Sequence, residues 1–522
     1  MEDLKAMYRI LRLNGMNRPA FPPLKPEKEK NSPKNTFYQL LHETPKPDRD
    51  DFKQELGYTD GNDTGFRNFL HLRRMELINS LQHINLENSS PAIQQKELCK
   101  KYLNAGEFIT NKGGGSRSTP LIKKAYHIAK QMDFTIEKLK ALQFLMIHYF
   151  EIKQYQKWEE THQELIETNT LLLKENQIKK IYYDLVIVLD EHLWGDEKFL
   201  RKCKNLVQQA RNIKRGYTSF NLELKWLDIR IITLELQGNF KKALEYSKQG
   251  RTYFENHPQQ TSTVPGGFLI QELEYHLLLR DYRAGLQKSK AIQQYFRKNT
   301  QNRLIGYQLV ILFYLHRMNA KEAQSAYLDI HEELLHNTSM SRGNQEKMLM
   351  VRGYLCWLIR HDLNKENRKP AAKEAQIIES YEKEKQDIGF LSLTKDKQGA
   401  NIALQVLEFL ELYEAGQTDL LLNTYPKWRS YAYRHLKDHP TTQRSYHFYR
   451  IMEILINHHF TNEGFRKARP LVKEIRKARY RFFGPQTLQE VIPYEQLFEA
   501  MESDWEREME RGRDWEMGRG RE

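Results

Sequence analysis

Three groups of residues come close to a known chemical geometry, and each lacks a part that the chemistry needs. His331, Glu332, Glu333 and His336 approach the zinc-binding HExxH pattern, but the histidines stand five apart, about 140° around a helix, and cannot face one ion. Asp60, Asn62, Thr64 and Gly65 open like a calcium loop, yet the twelfth position is His71, where a bidentate carboxylate is required. Gly113 to Gly115 precede Ser118, Thr119 and Pro120, and free N–H groups at a helix start attract anions. No strand precedes them and no Gly-Lys-Ser/Thr ending follows, so they read as a loop and a helix N-cap. His458 and His459 are adjacent and point apart on a helix. No GxSxG, no cysteine pair at metal spacing and no dinucleotide fingerprint occurs. The sequence therefore nominates no catalytic residue, metal ligand or cofactor, and the expectation is a non-enzymatic protein.

Two polar surfaces remain. Lys225, Asp228 and Glu235 are polar positions of a largely apolar helix, placed to meet a protein or peptide partner. Arg466 to Arg481 carries eight Lys or Arg against one Glu. Six of them, Arg466, Lys467, Arg469, Lys473, Arg476 and Lys477, form a basic surface suited to a phosphate backbone, with Tyr480, Phe482 and Phe483 beside it for stacking. The competing reading, which is favoured, pairs this face with the acidic helix Glu499 to Glu510.

The element behind the first surface is Leu224 to Phe254. Leu224, Leu227, Ile231 and Leu234 form one apolar stripe at helical spacing, and Trp226, Ile229, Ile232 and Leu236 a second, so this helix is expected to be buried on two sides. Gln237, Gly238 and Asn239 break the pattern. Ala243, Tyr246, Gly250, Tyr253 and Phe254 then mark one face of a second helix, with small residues for close approach. A lone hairpin cannot offset its backbone entropy, about 1–2 kcal/mol per residue, so copies must lie beside it. Its turn signature, an aromatic or small residue with a second apolar one three later, recurs at Tyr155 with Trp158, Phe240 with Ala243, Tyr282 with Gly285, Ala320 with Ala323, and Phe465 with Ala468. The spacings give a period of 38 to 48 residues and place further turns at Gly195 to Phe199, Lys369 to Ala372 and Gly416 to Leu420. Nine hairpins fit between Pro91 and Tyr480.

Gly238, Phe240, Ala243 and Gly250 resemble the small, aromatic, small, small pattern of the tetratricopeptide repeat. Ile231 stands where that family places a small residue, and the period exceeds the family's, so the resemblance is to a long-helix relative. The layout is also similar to bacterial repeat proteins of the Bacteroidota. The resemblance implies an all-α, right-handed α-solenoid that binds extended peptides on its concave face.

The formal charge of +14 favours anionic partners. Cys99, Cys203 and Cys356 are widely spaced within helical patterns and read as reduced thiols. Glu2, Asp3, Lys5 and Arg9 interrupt any signal peptide, and the longest apolar run, Ile305 to Leu315, falls short of the roughly 20 residues a membrane helix needs. The expectation is a soluble, cytoplasmic protein without a membrane partner. Its organisation reads as a helix and Pro/Lys linker over 1–35, a three-helix element over 36–90, repeats over 91–483, a C-terminal capping helix over 484–510 and a disordered tail over 511–522. In the three-helix element, Arg67, His71, Arg73 and Arg74 follow the order of a DNA-binding helix-turn-helix. The turn from Tyr58 to Gly65 is long for that motif, which favours a cap over the first repeat.

Overall fold

The computed structural model describes residues 1–13, 33–44, 48–58, 63–81, 89–113, 115–190, 197–259, 263–336, 341–388, 399–438, 442–478 and 489–519, and every regular element among them is a helix. Residues 14–32 of the expected linker, Asp60 and Asn62, Gly114, residues 191–196 and the stretch 479–488 lie outside the described residues.

The chain divides into two compact units. The first, Met1–Met132, contains α1 (Glu2–Leu13), α2 (Pro33–Glu43), α3 (Arg49–Glu55), α4 (Asp63–Leu81), α5 (Pro91–Asn111) and α6 (Gly115–Gln131). Leu4, Tyr8 and Leu11 of α1 bury against Phe37, Leu41, Phe52, Phe66 and Leu77, so the N-terminal helix is part of the small element rather than a separate arm. Asp48 caps α3 through the Asp50 amide, as its side chain predicts. Arg74 pairs with Asp3 at 2.8 Å, and Arg73 pairs with Glu76 while lying over the Phe69 ring. Two of the four residues suggested for DNA are thus engaged within the element. In the α5–α6 hairpin the helix begins at Gly115, and Pro120 lies inside it instead of at its first position. Ser118 and Thr119 are buried, and the Thr110 hydroxyl donates to that of Ser118 at 2.8 Å, so the glycine loop closes a hairpin.

The second unit, Asp133–Glu522, begins with α7 (Thr135–Glu151) and α8 (Tyr155–Asp190). No Gly or Pro interrupts Tyr155 to Asp190, and the helix runs on through all of it. Then follow α9 (Glu197–Lys214), α10 (Phe220–Leu236), α11 (Phe240–Glu255), α12 (Thr263–Leu278), α13 (Tyr282–Ser289), α14 (Ile292–Tyr295), α15 (Gln301–Leu315), α16 (Ala320–His336), α17 (Arg342–Glu366), α18 (Ala372–Ile388), α19 (Ala400–Glu414), α20 (Thr418–His435), α21 (Gln443–Asn457), α22 (Asn462–Lys477) and α23 (Tyr494–Arg519). Most helices pack chiefly on their neighbours in the chain, and α12, α15, α17 and α19 also pack in succession on one another. The last helix extends to Arg519, past Arg511, where a tail was expected.

The two stripes of α10 enter different cores. Leu224, Leu227, Ile231 and Leu234 join the large cluster that continues to the C-terminus, whereas Trp226, Ile229, Ile232 and Leu236 pack with Ile178, Leu185 and Cys203 of α8 and α9. A helix apolar on two sides is a shared wall. On α11, Gly250 sits where a Cβ would come within 2.6 Å of the Phe268 ring on α12. The small residue therefore admits the next helix. Tyr253, expected inside, is 39% exposed.

The turns share one construction. Lys153, Gly238, Arg280, Met318, Asn367 and Gly416 all have positive φ, one to three residues past a helix end. At Gly238 its amide bonds the Glu235 carbonyl and the Asn239 amide that of Leu234; the same pair recurs at Arg280 and Asp281, and at Met318 and Asn319. This is the Schellman closure. Asn239, Asp281 and Asn319 then accept from the amide three residues on and start the next helix. The helix starts at Ala372 and Thr418 fall at two of the turns placed by the repeat spacing.

Candidate functional site

Of the three residues nominated on α10, Lys225 and Glu235 contact neighbouring helices and Asp228 pairs within its own. Lys225 Nζ lies 2.8 Å from Asp228 and 3.8 Å above the Tyr182 ring of α8. Burial raises the Asp228 carboxyl above its ordinary value against the pull of Lys225. Glu235 accepts the hydroxyl of Tyr275 on α12, and burial pushes its carboxyl up to about 7. Glu274 on the same helix is buried with one oxygen lacking a hydrogen-bond partner, and burial holds it well above the usual carboxylate range. Lys225 and Glu235 thereby tie α10 to α8 and α12.

Similar ties recur along the unit. Tyr354 donates to the Ala403 carbonyl at 2.7 Å, Tyr381 to Glu411 at 2.9 Å, Tyr449 to Gln405 at 3.0 Å and Tyr425 to Glu453 at 2.7 Å. Tyrosine suits this position because its ring packs while its hydroxyl reaches a partner.

The most extended contact in the unit belongs to residues 489–505. Val491, Ile492, Tyr494, Leu497, Phe498 and Met501 are all buried within the large core. Tyr494 stacks on Phe448 of α21 at 4.4 Å, and its hydroxyl bonds that of Ser445 at 3.1 Å. Glu490 and Glu495 grip the Arg444 guanidinium of α21, each at 2.6 Å, and Glu495 also holds Arg280, at the turn after α12, at 2.5 Å. Burial would raise Glu495, but Arg444 and Arg280 outweigh it and hold the carboxyl below its ordinary value. His316, at the end of α15, is fully buried, shares a backbone hydrogen bond with Glu490 and is pushed by burial down to about 3. Asp504 faces His361 of α17 at 3.3 Å, and the Tyr413 hydroxyl of α19 donates to the Met501 carbonyl at 3.4 Å. Trp505 meets Phe465 of α22. The C-terminal segment therefore does more than cap the last repeat. It lies against elements from α12 to α22, up to 215 residues away.

The basic helix α22 meets the same segment. Arg469 pairs with Glu502 at 3.0 Å and Arg476 with Glu499 at 2.5 Å. Lys467 and Lys477 pair within the helix with Glu463 and Glu474. Arg466 and Lys473 are exposed, and Tyr480, Phe482 and Phe483 lie outside the described residues. The geometry matches the intramolecular reading for Arg469 and Arg476.

The near-motifs have structural uses. His331 bonds the Tyr327 hydroxyl at 3.1 Å, and Glu333 holds Arg303 at 3.0 Å and the Asn299 amide at 2.8 Å. His458 caps α21, and His459 supplies a positive φ in the turn that follows. Cys99, Cys203 and Cys356 are buried on three different helices. Among the described residues no group of three or more His, Cys, Asp or Glu could hold a metal ion, and no helix is long and apolar enough to cross a membrane. Neither the protein-family models, nor the curated proteins, nor the solved structures compared with this chain include a match.

Proposed function

We propose that this chain is a non-enzymatic, cytoplasmic scaffold that binds a protein or peptide partner and uses no cofactor. On this reading the hairpins from Pro91 onward stack into one right-handed α-solenoid of about nine, similar to long tetratricopeptide repeats, with the partner on its concave face. The supporting observation is the seat of residues 489–505, an acidic segment with aromatic and aliphatic anchors held by Arg280 after α12 and Arg444 on α21. On this reading a partner segment of the same chemistry takes this seat in place of residues 489–505. Peptides selected from a random library on the whole protein are expected to carry glutamate, aromatic and aliphatic residues at helical spacing. They should compete with a synthetic 489–509 peptide and bind less well to the Arg280→Gln protein. Recovery of no peptide, or of peptides indifferent to both tests, would sink the reading. Scattering should also give an envelope longer than that of a globule of 62.4 kDa.

A further inference from the structure

Between α20 and α21 lies an open groove of about 630 Å³, within the range of small-molecule sites. The helices meet their packing demands elsewhere, since Leu421, Trp428 and Ala432 of α20 and Phe448, Ile451, Met452 and Leu455 of α21 are buried in the large core. What faces the groove is a different chemistry: four tyrosines, three arginines and one carboxylate, Glu453.

The carboxylate cannot satisfy the cations. Glu453 accepts the Tyr425 hydroxyl at 2.7 Å, while the nearest approaches of Arg429 and Arg450 are 3.6 and 3.9 Å. Those separations give attraction without a hydrogen bond. Arg434 commits only its Nε, to the Ser430 carbonyl at 3.2 Å. Each guanidinium carries five donors in a planar fork that fits phosphate, so three arginines line a space holding one negative charge. Beside them the Tyr433 ring is 65% exposed, with Lys437 Nζ 4.6 Å above it. An exposed ring next to arginine forks is the pairing that takes an aromatic base and its phosphate.

We propose that this groove binds a nucleotide, the base stacked on Tyr433 and the phosphate held by Arg429, Arg434 and Arg450. The chemistry is shared by a free mononucleotide and by one nucleotide of a single strand, and the experiment separates them. The whole protein is titrated calorimetrically with AMP, UMP and inorganic phosphate, and by anisotropy with a fluorescent oligo-uridylate. Both nucleotides should bind more tightly than phosphate. Tyr433→Ala should weaken them roughly 5- to 150-fold, the range that base stacking gives, and Arg429→Gln with Arg450→Gln should weaken nucleotides and phosphate alike. All three side chains are exposed, and an unchanged melting temperature would show that the variants stay folded. If the source is a strand, the oligonucleotide binds more tightly than UMP and log K falls by about 0.7 per neutralised phosphate as log salt rises; if it is a free nucleotide, the oligonucleotide gains nothing. Absence of nucleotide binding at millimolar concentration, binding untouched by both sets of substitutions, or preference for an acidic peptide over any nucleotide would each overturn the proposal.

Discussion

Arg444 is the residue on which the seat of the C-terminal segment can be measured. Its Nε and Nη2 donate to the two oxygens of Glu490 at 3.0 and 2.6 Å, Nη2 also donates to Glu495 at 2.6 Å, and Nη1 bonds the Ile475 carbonyl. Arginine and both glutamates are each at most 6% exposed. Arg444→Met would strip Glu490 of Arg444, while its bond from the Tyr494 amide stays, and would leave Glu495 paired with Arg280. Removing one partner of a buried ion pair costs about 3–5 kcal/mol, mostly because the other charge stays behind. The expected loss in urea denaturation, followed by tryptophan fluorescence, is therefore about 3–5 kcal/mol. Adding Glu490→Gln to Arg444→Met should recover part of that loss, since it removes the stranded charge. The pH dependence follows from Glu495. Its carboxyl is held below the ordinary value in the folded protein, so its contribution is complete above that value and disappears as pH falls through the lower one. Wild type should consequently lose more stability on acidification than Arg444→Met. A loss below about 1 kcal/mol, the scale of a surface pair, or a double variant weaker than the single one, would refute the claim that this cluster anchors residues 489–505.

Other buried acids act in the opposite sense. Burial raises Glu235 to about 7, Glu414 to about 8 and Asp133 to about 6. The folded chain holds these protons after the unfolded chain has released them, so their contribution to stability falls as pH rises from the ordinary carboxylate range through those values. Glu235→Gln should flatten the decline of melting temperature with pH in this window; an unchanged slope would count against its burial. Gly250→Ala places a methyl against the Phe268 ring and should cost about 1–3 kcal/mol by overpacking. At Gly238, where positive φ is the only constraint and the Cβ space is open, the same change should cost about 1 kcal/mol, and equal losses at both sites would contradict the packing account. Replacing Arg469, Lys473, Arg476 and Lys477 by Gln removes exposed pairs worth about 0–1 kcal/mol each. The denaturation midpoint should move little and less in high salt, and a large, salt-independent drop would place those residues in a buried contact.

Periodicity made the hairpin from Leu224 to Phe254 legible, because a helix apolar on two faces has few places to sit other than between two cores. The turns were legible where Gly238 and Gly416 allow positive φ, and unreadable at Lys153, Arg280 and Met318, whose side chains do not announce it. At those positions the paired Schellman hydrogen bonds set the backbone, and the residue type follows tolerance instead of preference. The surroundings of the candidate site were not legible for a related reason. Spacing identifies Lys225, Asp228 and Glu235 as polar positions on an apolar helix, but a polar position facing sideways is open or covered according to the next helix. Here Tyr182 and Tyr275 cover it, and neither lies within the hairpin that nominated the three residues. The C-terminal segment is the extreme case. Its helical stripe from Tyr494 to Trp505 reads as an apolar face in need of a cover, yet one face could have met α22 alone. The added information is carried by Glu490 and Glu495, which would read as ordinary surface charges. They become anchors because Arg280 and Arg444 reach the same point from elements 164 residues apart. A guanidinium buried at α21 would be costly without them, so the segment and the helices it crosses are specified together.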